Sequence, residues 1–221
     1  MERTITVRGT GSLHQAPDRI EVPITLSFRD RDYAALLARA EEALITLRAA
    51  LGKAGFPEEE LRTRDLTVNP CWESEPDEKG IYRQVFAGYE YRNSLRLAFD
   101  LDLERLGAML GALAESDAKP EFSVRFTVKE PERARDALLA QAAADARGKA
   151  EALARAAGVS LGKLLRVEYG ARTPELYSPT NMALAESAGA DRAMRKLSIA
   201  PEDITAEDSA QFVWEIVSCA G

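Results

Sequence analysis

Hydrophobic and polar residues alternate strictly between residues 20 and 28, and this pattern predicts a half-buried β-strand. The apolar phase contains Ile20, Val22, Ile24, Leu26 and Phe28, as expected where successive side chains point to opposite faces of a sheet. Pro23 lies in the polar phase and has no N–H to donate to a neighbouring strand. Its position favours an edge strand or a bulge over a central strand.

Ile5 and Val7 form a shorter alternating segment, which predicts an earlier strand, and Gly9 and Gly11 interrupt it. The glycine pair begins like a dinucleotide-binding fingerprint, but His14 occupies the third glycine position and another strand follows. A fingerprint of that kind needs a helix at this point, to hold a pyrophosphate at its N-terminus. We therefore expect a turn or bulge between two strands, and no nucleotide site.

Apolar residues recur at steps of three and four in three other segments, which predicts three helices. The first follows Asp30 or Asp32, either of which can cap it, and ends near Gly55. The second follows Asp102 and carries leucines at 103, 106, 110 and 113. The third spans residues 131–157, contains twelve alanines and stops at Gly158. Its small side chains allow close approach of whatever packs against it.

Two long alternating segments, at residues 66–72 and 85–99, flank an acidic stretch at residues 73–80. They predict a long antiparallel hairpin with a solvated tip and with arms that stand out from the body. Further strands are predicted at residues 122–128, 164–169 and 204–216. Together these elements predict an α+β fold: a mixed, largely antiparallel sheet packed by three helices, with a protruding hairpin.

We expect a single domain over residues 1–221, because no composition shift marks a boundary. Residues 172–201 contain three prolines and weak periodicity, which predicts an excursion that is mobile or ordered by a partner. Within it, residues 182–197 are compatible with an amphipathic helix or with a loop. Arg192, Arg195 and Lys196 form a basic cluster there, which we interpret as a subunit contact.

Twenty-nine basic and thirty-six acidic residues give a net charge of -7, the wrong sign for broad contact with nucleic acid or an anionic membrane. No apolar run approaches the roughly 20 residues that span a bilayer, so membrane insertion is not expected.

Cys71 and Cys219 stand far apart and outside any CxxC motif, which predicts neither a disulfide framework nor a zinc site. The start of the chain has no leader-like apolar region, which favours the cytoplasm as the sequence stands; the alternative is the periplasm or cell envelope after removal of a leader.

Candidate catalytic chemistry is sparse along the chain. Ser12, His14 and Asp18 are residue types used in nucleophilic catalysis, but no GxSxG motif surrounds Ser12 and we expect a surface turn. His14 is the only histidine, which excludes three-His and HExxH metal sites. The acidic residues of the hairpin tip lack the spacing of a calcium-binding loop. We therefore predict no catalytic, cofactor-binding or metal-binding residues, and no cofactor.

Several motifs in a fixed order resemble the SIMPL-domain family, which includes bacterial proteins named for oxidative-stress defence and a periplasmic immunogenic protein. They are Ile5-Thr6-Val7-Arg8-Gly9-Thr10-Gly11, Ala16-Pro17-Asp18, Gly55-Phe56, Leu61-Arg62-Thr63-Arg64-Asp65-Leu66, Gly88-Tyr89-Glu90-Tyr91-Arg92-Asn93-Ser94-Leu95, Asp145-Ala146-Arg147, Lys149-Ala150-Glu151, Gly158-Val159 and Leu161-Gly162. The resemblance implies an α+β protein with no established enzymatic activity. It also implies export in some members and assembly into large oligomers in some.

Three functions remain open at this point. The first is a non-enzymatic, self-associating homo-oligomer linked to the stress response or the cell envelope. The second is an enzyme or small-ligand-binding protein that uses a cleft near His14, together with Asp18 or Tyr89. The third is an adaptor that binds an unidentified protein partner through residues 172–201.

Overall fold

The computed structural model describes residues 3–76, 80–170, 173–184 and 199–218, in which three α-helices and eight β-strands form. In chain order they are β1 (Thr4–Gln15), β2 (Arg19–Asp30), α1 (Tyr33–Lys53), β3 (Arg62–Pro76), β4 (Tyr82–Asp100), α2 (Leu103–Ala114), β5 (Glu121–Thr127), α3 (Pro131–Ala156), β6 (Val159–Tyr169), β7 (Tyr177–Leu184) and β8 (Ile204–Ser218). The strands form two antiparallel sheets. The predicted α+β class is confirmed.

The chain forms two compact units. One unit comprises Met1–Asp18, Thr127–Pro179 and Pro201–Gly221, and it contains α3 and a three-stranded sheet of order β1-β8-β6. The other comprises Arg19–Phe126 and Thr180–Ala200, and it contains α1, α2 and most of a five-stranded sheet of order β3-β4-β2-β5-β7. The single domain over residues 1–221 stays a prediction.

The core of the second unit is built on the apolar phase of β2. Ile20, Val22, Ile24 and Leu26 are fully buried against leucines of α1 and α2. The predicted edge position of Pro23 is wrong, because β2 lies between β4 and β5 and Pro23 stands opposite Arg96 without a register shift. Loss of one ladder hydrogen bond costs about 1 kcal/mol. Burial of four aliphatic side chains contributes about 1.5–3 kcal/mol each, and it outweighs that loss.

The predicted helix ends are confirmed by cap geometry. The side chain of Asp32 accepts a hydrogen bond from the N–H of Ala35 at 2.8 Å, and Asp102 accepts from the first turn of α2 in the same way. Gly55 and Gly158 follow α1 and α3 with φ of 86° and 69°, a conformation that glycine adopts without strain. Local chain chemistry therefore sets where these helices begin and end.

The predicted turn at Gly9 and Gly11 is wrong, because β1 runs through both residues and pairs with β8 over its whole length. Both glycines face α3, where a Cβ on Gly9 would overlap the carbonyl oxygen of Ala142 and one on Gly11 would overlap that of Leu138. The glycines are thus required by close packing of a strand on a helix. The alanine-rich face of α3 provides the other half of this contact, since Ala142 and Ala146 are fully buried.

The segment 172–201 contains a strand that the sequence analysis did not predict. β7 occupies Tyr177–Leu184 and joins the edge of the five-stranded sheet, and the Ser178 hydroxyl donates to the Glu202 carbonyl at 2.6 Å. The alternative helix at 182–197 begins inside β7, and its remaining residues lie outside the described part. Arg192, Arg195, Lys196 and Cys219 also lie outside it.

The predicted hairpin is confirmed and is longer than expected. β3 pairs with β4 from Arg62 to Pro76, with one register shift between Thr63 and Asp65 and another between Cys71 and Trp72. Its tip includes residues 77–79, which lie outside the described part. Among the described helices, none combines the length and the apolar character needed to cross a membrane.

Candidate functional site

The proposed cleft residues belong to different compact units, with His14 and Asp18 in the first and Tyr89 in the second. His14 lies on β1 with 71% of its side chain exposed, and its Nε2 is 3.0 Å from Asp203 Oδ2. Asp18 Oδ1 accepts a hydrogen bond from the backbone N–H of Lys129 at 2.7 Å and so fixes the chain after β5. Tyr89 packs edge-on against Tyr33 of α1. Each of the three residues therefore has a structural contact of its own.

A shallow cavity of about 840 Å³ lies beside β1 in the first unit. Its lining residues include Arg8, Thr10, Glu175, Asp208 and Ser209, but not His14. The Arg8 guanidinium donates to the Ser209 hydroxyl through Nε at 3.0 Å and through Nη2 at 2.6 Å. Two of the five N–H donors of Arg8 are thus used inside the protein.

Asp208 on the same cavity accepts a hydrogen bond from the Tyr169 hydroxyl at 2.7 Å. This hydrogen bond raises the pKa of Tyr169, so the phenol stays protonated and serves as a donor. Among the described residues, no group of three His, Cys, Asp or Glu side chains is placed to hold a metal ion. Polar side chains of this cavity are held by hydrogen bonds, as Asp208 is by Tyr169, and this arrangement stabilises the surface.

Side chains of α3 cover the outer edge of β1. The N–H of Thr10 donates to Asp145 Oδ2 at 2.8 Å, and the N–H of Ser12 donates to Gln141 Oε1 at 3.2 Å. Lys149 Nζ donates to the same Asp145 oxygen at 2.6 Å. These contacts occupy backbone donors that an edge strand otherwise presents to other chains. The motif residues Asp145 and Lys149 therefore have a structural role.

Asp145 is expected to make the free energy of unfolding depend on pH at low pH. The hydrogen bond from Lys149, followed by that from Thr10, lowers the pKa of Asp145 below its ordinary value of 3.8. The ionised carboxylate therefore stabilises the fold above pH 3.8, and this stabilisation is lost as the pH falls through the lower folded-state pKa. We expect the free energy of unfolding, measured with denaturant, to fall less between about pH 6 and pH 2.5 in Asp145→Asn than in the wild type.

Asp136→Asn is the matched control, because Asp136 is an exposed acid on the same helix. The control variant should keep the acid dependence of the wild type. Equal curves for Asp145→Asn and the wild type would contradict the role given to Asp145.

Four aromatic rings form a continuous ladder from the start of α1 to the outer part of the hairpin. The ring centroids of Tyr33 and Tyr89 are 5.2 Å apart, those of Tyr89 and Phe86 are 5.2 Å apart, and those of Phe86 and Trp72 are 5.6 Å apart. All three contacts are edge-to-face, the arrangement that aromatic quadrupoles favour. We call these four residues the aromatic ladder.

A β-bulge places Phe86 and Tyr89 on the same face of the hairpin. Residues three apart in a regular strand lie on opposite faces, because side chains alternate with a period of two. The register runs from the pair of Cys71 and Gly88 directly to that of Trp72 and Phe86, which leaves Ala87 as the extra residue. Gly88 has φ of 128°, and a Cβ there would lie 2.5 Å from the carbonyl oxygen of Asp30.

The outer end of the aromatic ladder is exposed. Tyr91, one step inward on this face, is buried in a cluster with Leu36 and Ala40 of α1. Trp72 remains 57% exposed and Phe86 38% exposed. Tyr82, opposite Pro76 near the tip, is exposed as well. The fold thus leaves three aromatic side chains of this face open to solvent.

Sequence reasoning placed Trp72 and Tyr89 on strands but missed the aromatic ladder. The available signal was Ala87-Gly88, because a glycine inside a strand often marks a bulge. The acidic tip showed no calcium-loop spacing, and its residues 77–78 lie outside the described part. Cys71 is a partly exposed thiol in no disulfide.

Comparison with known proteins gives one family and several relatives. A family model described as SIMPL, protein of unknown function (DUF541), matches residues 5–214. The 26 kDa periplasmic immunogenic protein of Brucella melitensis is 23% identical over 77% of this chain and 68% of its own length. Its counterpart in Brucella abortus has the same identity and coverage. The uncharacterized protein YggE of Edwardsiella ictaluri is 24% identical over 75% of this chain and 67% of its own length.

Proposed function

Because this chain belongs to the SIMPL family, we propose that it is a non-enzymatic, self-associating protein of the periplasm. In this proposal the outer end of the aromatic ladder packs against a second copy of the chain. The observation that carries it is the exposure of Trp72, Phe86 and Tyr82 on one face of the hairpin. Aromatic side chains of this kind are enriched in the energetic centres of protein interfaces.

The aromatic ladder suits binding because its rings are already packed against one another in the single chain, before a partner binds. Trp72 contacts Phe86, which contacts Tyr89, and Tyr89 is fixed against α1 through Tyr33. Side chains that are already ordered lose less conformational entropy when a partner covers them. A tryptophan side chain has about 150–250 Å² of surface, and 57% of Trp72 is exposed, so roughly 85–140 Å² is open to a partner. Full cover of this area contributes about 2–3.5 kcal/mol at about 25 cal/mol per Å².

The reverse face of the hairpin is less suited to such packing. Glu73 and Glu75 of β3 lie on that face, and Val85 and Arg83 of β4 stand opposite them. Charged side chains are depleted from the centres of interfaces. The two faces of one hairpin therefore differ in their capacity to bind.

Sedimentation velocity over a wide concentration range tests this proposal without knowledge of any ligand. We expect a discrete species heavier than one chain, which dissociates on dilution. A single-chain mass at every concentration would overturn the proposal. Light scattering on the same samples provides an independent mass.

The non-enzymatic part of the proposal is supported by the placement of His14, whose side chain is largely exposed and pairs with Asp203. Replacement of His14 by Ala should leave ligand-induced melting shifts and any hydrolytic activity unchanged. Loss of a measured activity in this variant would favour the alternative of a cleft near His14.

The periplasm is proposed because the two Brucella relatives carry the word periplasmic in their names. This replaces the cytoplasm, which the start of the sequence favoured. Fractionation of the native cell should recover the protein with periplasmic markers. A role in the stress response stays a prediction of the family resemblance.

A further inference from the structure

The three-stranded sheet of the first unit has two edges, and they differ in whether other residues hydrogen-bond to their outer backbone groups. The outer edge of β1 is covered by Asp145 and Gln141 of α3, as described above. β6 forms the other edge, and within the described part of the chain its only strand neighbour is β8. The outer side of residues 166–169 is therefore available for strand addition, which satisfies edge N–H and C=O groups with those of another chain.

These four residues form the regular part of β6. The pairing with β8 shifts register before Leu164 and again before Arg166, and then runs without a shift from Arg166 to Tyr169. Val167 and Tyr169 lie on one face and are each 48% exposed. Arg166 and Glu168 lie on the other face, where the guanidinium and the carboxylate are 3.1 Å apart.

We propose that this edge pairs antiparallel with the same edge of a second copy, with Val167 opposite Val167 of that copy. The proposal rests on the self-association put forward above and names one contact within it. Directly opposite residues of an antiparallel pair share a face, so the allowed symmetric registers are centred on residue 166, 167 or 168. Each can be judged by the charges that it brings together.

Charge complementarity selects the register centred on Val167. In it Arg166 of each copy stands opposite Glu168 of the other, so two favourable pairs form across the twofold axis. The register centred on 166 places Arg166 opposite Arg166, and the one centred on 168 places Glu168 opposite Glu168. Like charges directly opposite each other are destabilising. The central pair of valines adds an apolar contact on the other face.

A twofold contact of this kind closes at two copies. The aromatic ladder belongs to the other unit of the fold, so the two surfaces can be changed separately. A variant with Trp72→Ser and Phe86→Ser should therefore still form a dimer through β6. This expectation separates the β6 contact from the hairpin contact.

Charge exchange tests the register. In the Trp72→Ser, Phe86→Ser background, Arg166→Glu and Glu168→Arg should each weaken dimerisation roughly tenfold, because each change creates two like-charge pairs. The double exchange R166E/E168R should restore dimerisation to within about threefold of the background. Sedimentation equilibrium measures all four dissociation constants. A double exchange that is as weak as the single changes would overturn the proposal.

Cysteine cross-linking tests the position directly. On a Cys71→Ser, Cys219→Ser background of the full chain, Val167→Cys should form a covalent dimer on mild oxidation, since the two Cβ atoms lie about 5 Å apart. Tyr169→Cys is the matched control: it is equally exposed, but it lies opposite residue 165, about 14 Å from its own copy. We expect no covalent dimer from this control.

The outcomes separate the two proposals. A chain that is monomeric at every concentration overturns both of them. An oligomer in which Val167→Cys gives no more covalent dimer than Tyr169→Cys overturns the β6 contact alone and leaves self-association in place. Cross-linking of Val167→Cys together with rescue by the double exchange supports the proposed register.

Discussion

Gly9→Ala is expected to destabilise the protein by about 3 kcal/mol or more, because the new Cβ overlaps the Ala142 carbonyl oxygen of α3. A helix backbone cannot move out of the way as the end of a flexible side chain can. Either α3 shifts off β1 or the strand bends, and both expose the buried alanines at the contact. Thermal unfolding should show a decrease in Tm of about 6 °C or more.

Gly148→Ala is the matched control for this prediction. Gly148 lies inside α3, and a Cβ there meets nothing within 4 Å. The same chemical change should raise stability by about 1 kcal/mol, because alanine favours the helix over glycine. Equal small effects at both positions would contradict the close packing of β1 on α3.

Trp72→Ser combined with Phe86→Ser is expected to weaken hairpin-mediated self-association by roughly 30-fold or more. This figure follows from the contribution of about 2–3.5 kcal/mol argued for the exposed part of Trp72 alone. Trp72 is 57% exposed and Phe86 38% exposed in the single chain, so we expect the loss of folding stability to be smaller than the loss of association free energy. Sedimentation velocity measures the association, and unfolding in denaturant measures the stability.

Val85→Ser controls for the exposed hydrophobic surface. Val85 is 42% exposed, close to the 38% of Phe86, but it lies on the reverse face of the same hairpin. We expect the control to associate like the wild type. A loss of association equal to that of the Trp72 and Phe86 variant would mean that the aromatic face has no special role.

Local patterns predicted much of this fold because they depend on nearby residues. The alternation around Ile24 and the caps Asp32 and Asp102 were correctly interpreted, since period and capping act within a few positions. Gly9 was misinterpreted because its constraint comes from α3, and Thr10 next to it binds Asp145, 135 positions further along the chain. A single sequence does not show such a contact.

The candidate site was harder to predict than the fold. The aromatic ladder depends on one extra residue, Ala87, which brings Phe86 and Tyr89 onto the same face. Strict alternation places them on opposite faces. β7 was missed because its place is at the edge of a sheet built from earlier parts of the chain.

The most direct test of self-association through the aromatic ladder is the fluorescence of Trp72 across a concentration series. Trp214 is the other tryptophan and is buried, so Trp214→Phe leaves Trp72 as the sole reporter. We expect its emission to shift to the blue, and its quenching by acrylamide to fall, over the same concentrations at which the mass rises. A rise in mass with unchanged Trp72 emission and quenching would contradict self-association through the aromatic ladder.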